Sequence, residues 1–266
     1  MCGIAGLILS SGAAPPDPGT LTKLIEALRH RGPDGSGHAV VGRVALAHNR
    51  LSIIDLVSGD QPLFAGAATL VANGEIYNYR ELRAAMPGVT FSTNSDCEPP
   101  LHLWLRDGTD YARALRGMYA IAIHERVQRS VTLTRDPFGI KPLYIAQIEG
   151  GLGFASEPQA LLDAGLVARK VYAPAREELL QLQFTTGADT IFEGIQRMLP
   201  GETITCADGH VLNRRRNSHL RESAGNASEA EDEQLLCTVG YERRTSNHAQ
   251  HGQRDVCLAI RDRLKE

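Results

Sequence analysis

The chain has 266 residues, a formal net charge of −3, 42% hydrophobic residues and 22% charged residues, which is enough to bury a real core in one large domain or two small ones. No basic stripe alternates with aromatics, so nucleic acid and anionic membrane are excluded as natural partners, and no apolar run approaches the ~20 residues of a membrane helix. The cysteines Cys2, Cys97, Cys206, Cys237 and Cys257 are odd in number and scattered, which fits neither a disulfide framework nor a metal site.

Met1-Cys2-Gly3-Ile4-Ala5-Gly6 opens the chain, and residues 3–9 read as a strand. Without Met1, Cys2 would carry both a thiol and a free α-amine. These titrate at about 8.5 and about 7.7–8.0, a close match for general-base activation of a nucleophile. On position alone, Cys2 reads equally as a small apolar residue entering a strand. No basic n-region precedes the apolar run, and the break over 10–18 comes too early for a signal peptide, so a cytoplasmic address is expected.

Leu21, Leu24, Ile25 and Leu28 share one face and predict an amphipathic helix over 20–29. Arg29-His30-Arg31-Gly32-Pro33-Asp34-Gly35 then reads as a basic helix end and turn, or as a flap hinged on two glycines. Strand-length apolar runs follow at 44–47, 69–71, 118–123, 131–134 and 143–145. Arg50 heads the apolar stretch Leu51-Ser52-Ile53-Ile54; its guanidinium fork either grips a carboxylate or sits at a surface strand end.

After the run at 69–71 comes Asn73-Gly74-Glu75-Ile76-Tyr77-Asn78. It reads as a hairpin turn, or as an amide N–H and a glycine N–H converging on a developing oxyanion. A helix over 79–86, with no matching strand, argues against the hairpin. Ser95-Asp96-Cys97-Glu98 starts a helix toward Trp104, with Ser95 as its N-cap. Asp96 there either complements the helix dipole or holds an ammonium group, and Pro99-Pro100 fit only within the first turn. Residues 135–144 read as a rigid turn between two strands. Helices are expected over 157–162 and 175–182.

Short loops between successive strands favour antiparallel pairing. From Arg214 the text turns polar, poor in aromatics, and reads as a poorly packed tail with one possible short helix over 256–265. The expected division is a domain over 1–213 and a tail over 214–266.

Seven motifs occur in a fixed order: Met1 to Gly6, Arg31 to Gly35, Arg50 to Ile53, Asn73 to Asn78, Ser95 to Glu98, residues 135–144 and Phe154-Ala155-Ser156-Glu157. Together they resemble the glutaminase domain of glutamine-dependent asparagine synthetases, class II amidotransferases among the N-terminal-nucleophile hydrolases. The stretch Ile191-Phe192-Glu193-Gly194-Ile195 through Leu199-Pro200-Gly201-Glu202 fits the end of that domain.

The resemblance implies a four-layer αββα sandwich and glutamine as substrate. It implies Cys2 as nucleophile, with Asn73 and Gly74 stabilising the oxyanion. It places Arg50 on the α-carboxylate and Asp96 on the α-amine, with Leu51, Ile53 and Glu75 completing the pocket. No cofactor is implied for this half-reaction. ATP and Mg would serve a synthetase domain whose Ser-Gly-Gly-x-Asp-Ser phosphate loop has no match after Asn213, so no ATP-dependent asparagine formation is expected of this chain alone. The ammonia acceptor is aspartate by default, and the partner a separate synthetase chain or a second copy. A non-catalytic glutamine-binding module and a non-functional fragment are the alternatives.

Overall fold

The computed structural model describes residues 1–216; the tail beyond Arg216 and the helix expected over 256–265 lie outside the described residues. Among the described residues twelve strands sort into two antiparallel sheets. The first contains β1 (Gly3–Leu9), β2 (Gly35–Val41), β3 (Val44–Arg50), β8 (Tyr144–Ile148), β9 (Gly151–Ala155) and β10 (Ile195–Arg197), in the order β10-β8-β9-β1-β3-β2. The second contains β4 (Leu63–Ala65), β5 (Ala68–Ile76), β6 (Gly117–Glu125), β7 (Ser130–Arg135), β11 (Glu202–Ala207) and β12 (His210–Arg216), in the order β12-β11-β7-β6-β5-β4.

The side-chain period of two in a strand builds the layers. Ile4, Ile8, Val44 and Leu46 of the first sheet face Val71, Ala120, Ala122, Leu133 and Ile204 of the second. The opposite face of the first sheet, with Ala5, Leu7, Ala45 and Ala47, packs on Leu21 and Leu24 of α1 (Pro18–Ala27) and Leu161 of α4 (Pro158–Asp163). The outer face of the second sheet, with Leu70, Ala72, Ile121 and Ile123, packs on Leu82 of α2 (Tyr79–Ala84) and on Leu101 and Trp104 of α3 (Glu98–Asp107). The result is the four-layer αββα sandwich. Each fully buried Leu or Ile contributes about 1.5–3 kcal/mol. No helix among the described residues is long and apolar enough to cross a membrane.

Three local expectations are corrected. Asn73-Gly74-Glu75-Ile76 does not follow a strand but lies inside β5. Gly74 packs straight onto β6, where a Cβ would land 2.6 Å from the Met118 carbonyl oxygen. The N-cap position of α3 is Cys97, not Ser95, although the Ser95 hydroxyl still accepts the Cys97 N–H at 3.2 Å. Pro99 and Pro100 fall in the first turn, where their missing N–H groups have no helical partner to lose. Finally, β12 carries Arg214, Arg215 and Arg216 and pairs with β11 along its length, so sheet structure continues past residue 213.

The segment between β7 and β8 passes from one sheet to the other, and buried charges hold it. Arg135 donates from Nε to the Lys141 carbonyl at 2.8 Å and from its terminal nitrogens to the carbonyls of Gly139 and Met198. Asp136, fully buried, accepts the N–H groups of Phe138 (3.1 Å), Ile140 (2.9 Å), Lys141 (2.9 Å) and Tyr119 (3.3 Å). Asp136→Ala leaves these donors without their acceptor and should cost about 3 kcal/mol or more, since each buried orphan costs ~1–3 kcal/mol. Urea denaturation checks it; an unchanged midpoint would show that water replaces the carboxylate at no cost.

Candidate active site

The two sheets open at one end into a cavity of about 240 Å³, and strand parity dictates what lines it. Ile4 stands opposite His48 in the β1–β3 register, so one step further out brings Cys2 beside Arg50. On the second sheet Asn73 pairs with Ala120 and Glu75 with Met118. Asn73 and Glu75 therefore share the face of Val71, toward the first sheet. All eight residues singled out from the sequence, Cys2, Arg50, Leu51, Ile53, Asn73, Gly74, Glu75 and Asp96, line this one cavity.

The half-buried Cys2 thiol sits against the loop after β3. Its Sγ accepts the Leu51 N–H at 3.3 Å and lies 3.6 Å from the Leu51 carbonyl. Asn73 is 1% exposed, and among the described residues its Nδ2 has no hydrogen-bond partner. A buried amide donor left unpaired is costly, and such groups persist where a ligand or water completes them.

Arg50 is buried, with NH1 on Asp60 Oδ1 at 2.7 Å and NH2 on the Asp55 carbonyl. Asp60 is largely exposed, so this pair is weak and open to exchange. Asp55, at φ 53°, ties the same loop to Ser58 and to the Asn94 N–H.

Asp96 accepts the Ile76 N–H at 2.7 Å. Burial raises its pKa, and the nearby Glu75 carboxylate adds to the rise. Among the described residues no cation pairs with either carboxylate, so this corner has the charge to receive one. Glu98, by contrast, is structural: it accepts from the Ser92 and Thr93 backbone and from the Thr93 hydroxyl.

Lining residues not singled out from the sequence include His48, Gln61, Cys97, Met118 and Lys141. Two residues before Arg50, on the same face of β3, the 1% exposed His48 had a readable signal in that spacing. Among the described residues neither ring nitrogen has a well-formed hydrogen bond, although the Ala72 backbone is close enough to favour the charged form. Burial first, and then the Arg50 charge, push its pKa down to about 4. The folded value lies below the ordinary 6.5. Stability from keeping this ring neutral is therefore whole above about pH 6.5 and drains as pH falls toward 4, by up to about 3 kcal/mol. His48→Leu should flatten the acid limb of Tm against pH across that window; parallel limbs in the two proteins would sink the assignment.

A family model described as a glutamine amidotransferase domain matches residues 1–216. The chain belongs to the glutamine amidotransferase family. A Mycobacterium tuberculosis protein named as a glutamine-hydrolysing asparagine synthetase is 39% identical over 223 residues, covering 76% of this chain and 34% of that protein. Asparagine synthetase [glutamine-hydrolyzing] 2 of Bacillus subtilis is 41% identical over 167 residues, 60% of this chain and 22% of that protein. The amidotransferase chain thus spans about a third or less of the length of these curated relatives. Among solved structures, the glutamine phosphoribosylpyrophosphate amidotransferase of B. subtilis superposes with TM-score 0.60 at 21% identity, over 81% of this chain and 49% of that one, a likeness of fold.

Proposed function

We propose that this amidotransferase domain hydrolyses the side-chain amide of glutamine to glutamate and ammonia, with Cys2 as nucleophile. The observation that carries the reading is the unpartnered Asn73 Nδ2, buried in the wall of the same cavity as the Cys2 thiol. Removal of Met1 would give Cys2 a free α-amine to take the thiol proton, directly or through a water. The thiolate attacks the amide carbon. Asn73 Nδ2 and the Gly74 N–H receive the oxyanion. The amine returns the proton to the leaving nitrogen, ammonia departs, and water then hydrolyses the glutamyl thioester.

Two charged corners select the substrate. Asp96, beside Glu75, takes the α-ammonium, which offsets the cost of a buried carboxylate. Arg50 exchanges its exposed partner Asp60 for the α-carboxylate, with Leu51 and Ile53 bordering the same cavity. A site built from polar groups rejects analogues that leave those groups unpaired. Thiol, amine, water and amide donors supply every step, so the half-reaction requires no cofactor.

Aspartate is the ammonia acceptor in this reading, which the asparagine synthetase names of the relatives support. Activation of aspartate with ATP and Mg would belong to synthetase machinery beyond this domain, on the same polypeptide or another. The test is direct: chain whose mass shows Cys2 at its N-terminus should release equal amounts of glutamate and ammonia from glutamine. Such processed chain releasing neither would overturn the proposal.

A further inference from the structure

Two stretches idle in this chemistry, the helix end His30-Arg31 and the strand end Ser156-Glu157, meet behind the nucleophile. The Arg31 side chain is 8% exposed and bridges two elements. Its Nε donates to the Cys2 carbonyl at 3.0 Å, and its NH1 donates to Glu157 Oε1 at 2.6 Å. His30 Nε2 lies 3.1 Å from the same carboxylate. Ser156 continues the grip: its Oγ accepts the Ile4 N–H at 2.9 Å and its N–H donates to the Ile4 carbonyl at 2.8 Å.

Local backbone makes the approach possible. A Cβ on Gly3 would meet Leu28 at 3.0 Å and Arg31 Cδ at 3.5 Å, and one on Gly32 would land 2.4 Å from the Asn49 carbonyl oxygen. Burial opposes ionisation of Glu157, but hydrogen bonds from Arg31 and His30 outweigh it and hold its carboxyl below the ordinary range. None of Arg31, Ser156 and Glu157 lines the cavity.

We propose that Glu157 is a positioning residue for Cys2, acting through Arg31: it fixes the guanidinium that holds the Cys2 carbonyl and so aims the thiol across the cavity. A free arginine has many rotamers to lose. A carboxylate on one arm of its planar fork settles that cost in advance and leaves the Nε–H pointed at the nucleophile's backbone. A misplacement of ~1 Å at a reacting group costs about a hundredfold in rate, so partial loosening should show in turnover rather than in substrate binding.

The inference rests on the glutaminase reading of Cys2, and its test separates the two. Glu157→Gln should lower kcat about tenfold, a fraction of the full misplacement penalty, with KM nearly unchanged and Tm close to that of the parent. In a cycle with Arg31→Lys, the double variant should be no slower than Arg31→Lys alone, because Glu157 has no other route to the site. Alkylation of Cys2 by iodoacetamide, which needs no glutamine, should show the same non-additive slowing. If Cys2 alkylates but no ammonia forms, the glutaminase reading falls while alkylation still decides the clamp. Multiplicative effects of the two substitutions, or a Glu157→Gln protein unchanged in both kcat and alkylation, would overturn the inference.

Discussion

Cys2→Ala should abolish ammonia release from glutamine while leaving the domain folded. The substitution removes the one atom that can form the thioester, and no neighbouring group can replace it. Cys97 lines the same cavity, but burial first, then the adjacent Asp96 charge, push its thiol pKa well above the usual range, so it supplies little thiolate. The structural cost is small. Cys2 is half-buried, and among the described residues its side chain hydrogen-bonds only to the Leu51 backbone, so the loss should stay under about 1 kcal/mol. Turnover is followed by coupled detection of glutamate, and folding by thermal denaturation. Residual turnover near the parent level in Cys2→Ala would remove the nucleophile from the mechanism.

Asn73→Ala should lower kcat by about 10²–10³, the usual cost of deleting one oxyanion donor, with a much smaller change in KM. The reason is differential binding: the oxyanion carries its charge in the transition state, not in the bound amide. The substitution should not destabilise the resting domain by loss of a hydrogen bond, because Asn73 Nδ2 makes none there. A modest gain in Tm is expected, since a buried unpaired donor is deleted. This opposition of signs is the diagnostic. A fall in kcat with a parallel fall in Tm would mean that Asn73 serves packing, and an unchanged kcat would remove it from the oxyanion role.

The legible parts of the fold were those written locally. The apolar stretch 3–9, the face of Leu21, Leu24 and Leu28, and the apolar runs of β6 and β7 each carry their period in neighbouring residues. Strands β2 and β9 do not. Residues 35–41 are glycine-rich and mostly solvent-facing, and residues 151–155 pair with β1 from far along the chain. The true end of β5 was not legible at Asn73-Gly74 for a physical reason: Asn-Gly is the strongest local turn signal, and only the backbone of β6, lying against Gly74, shows that the strand runs on and the glycine serves close approach. Arg50 was readable as a charge heading apolar text, and Asp96 as an acid at the start of a helix. Arg31 and Glu157 were readable only as motif letters, because their partners lie at residues 2 and 30–31, brought together by tertiary structure.

Cys2, the proposed nucleophile, adjoins β1 of one sheet, and Asn73, the proposed oxyanion donor, lies on β5 of the other. Their separation is therefore the thickness of the hydrocarbon filling between Ile4, Leu46, Val71 and Leu133. That filling acts as a molecular spacer, and its bulk is a kinetic quantity as much as a thermodynamic one. Exchanges that conserve volume leave the gap intact, whereas thinning or swelling the layer changes the reach from sulfur to amide without touching any reacting group.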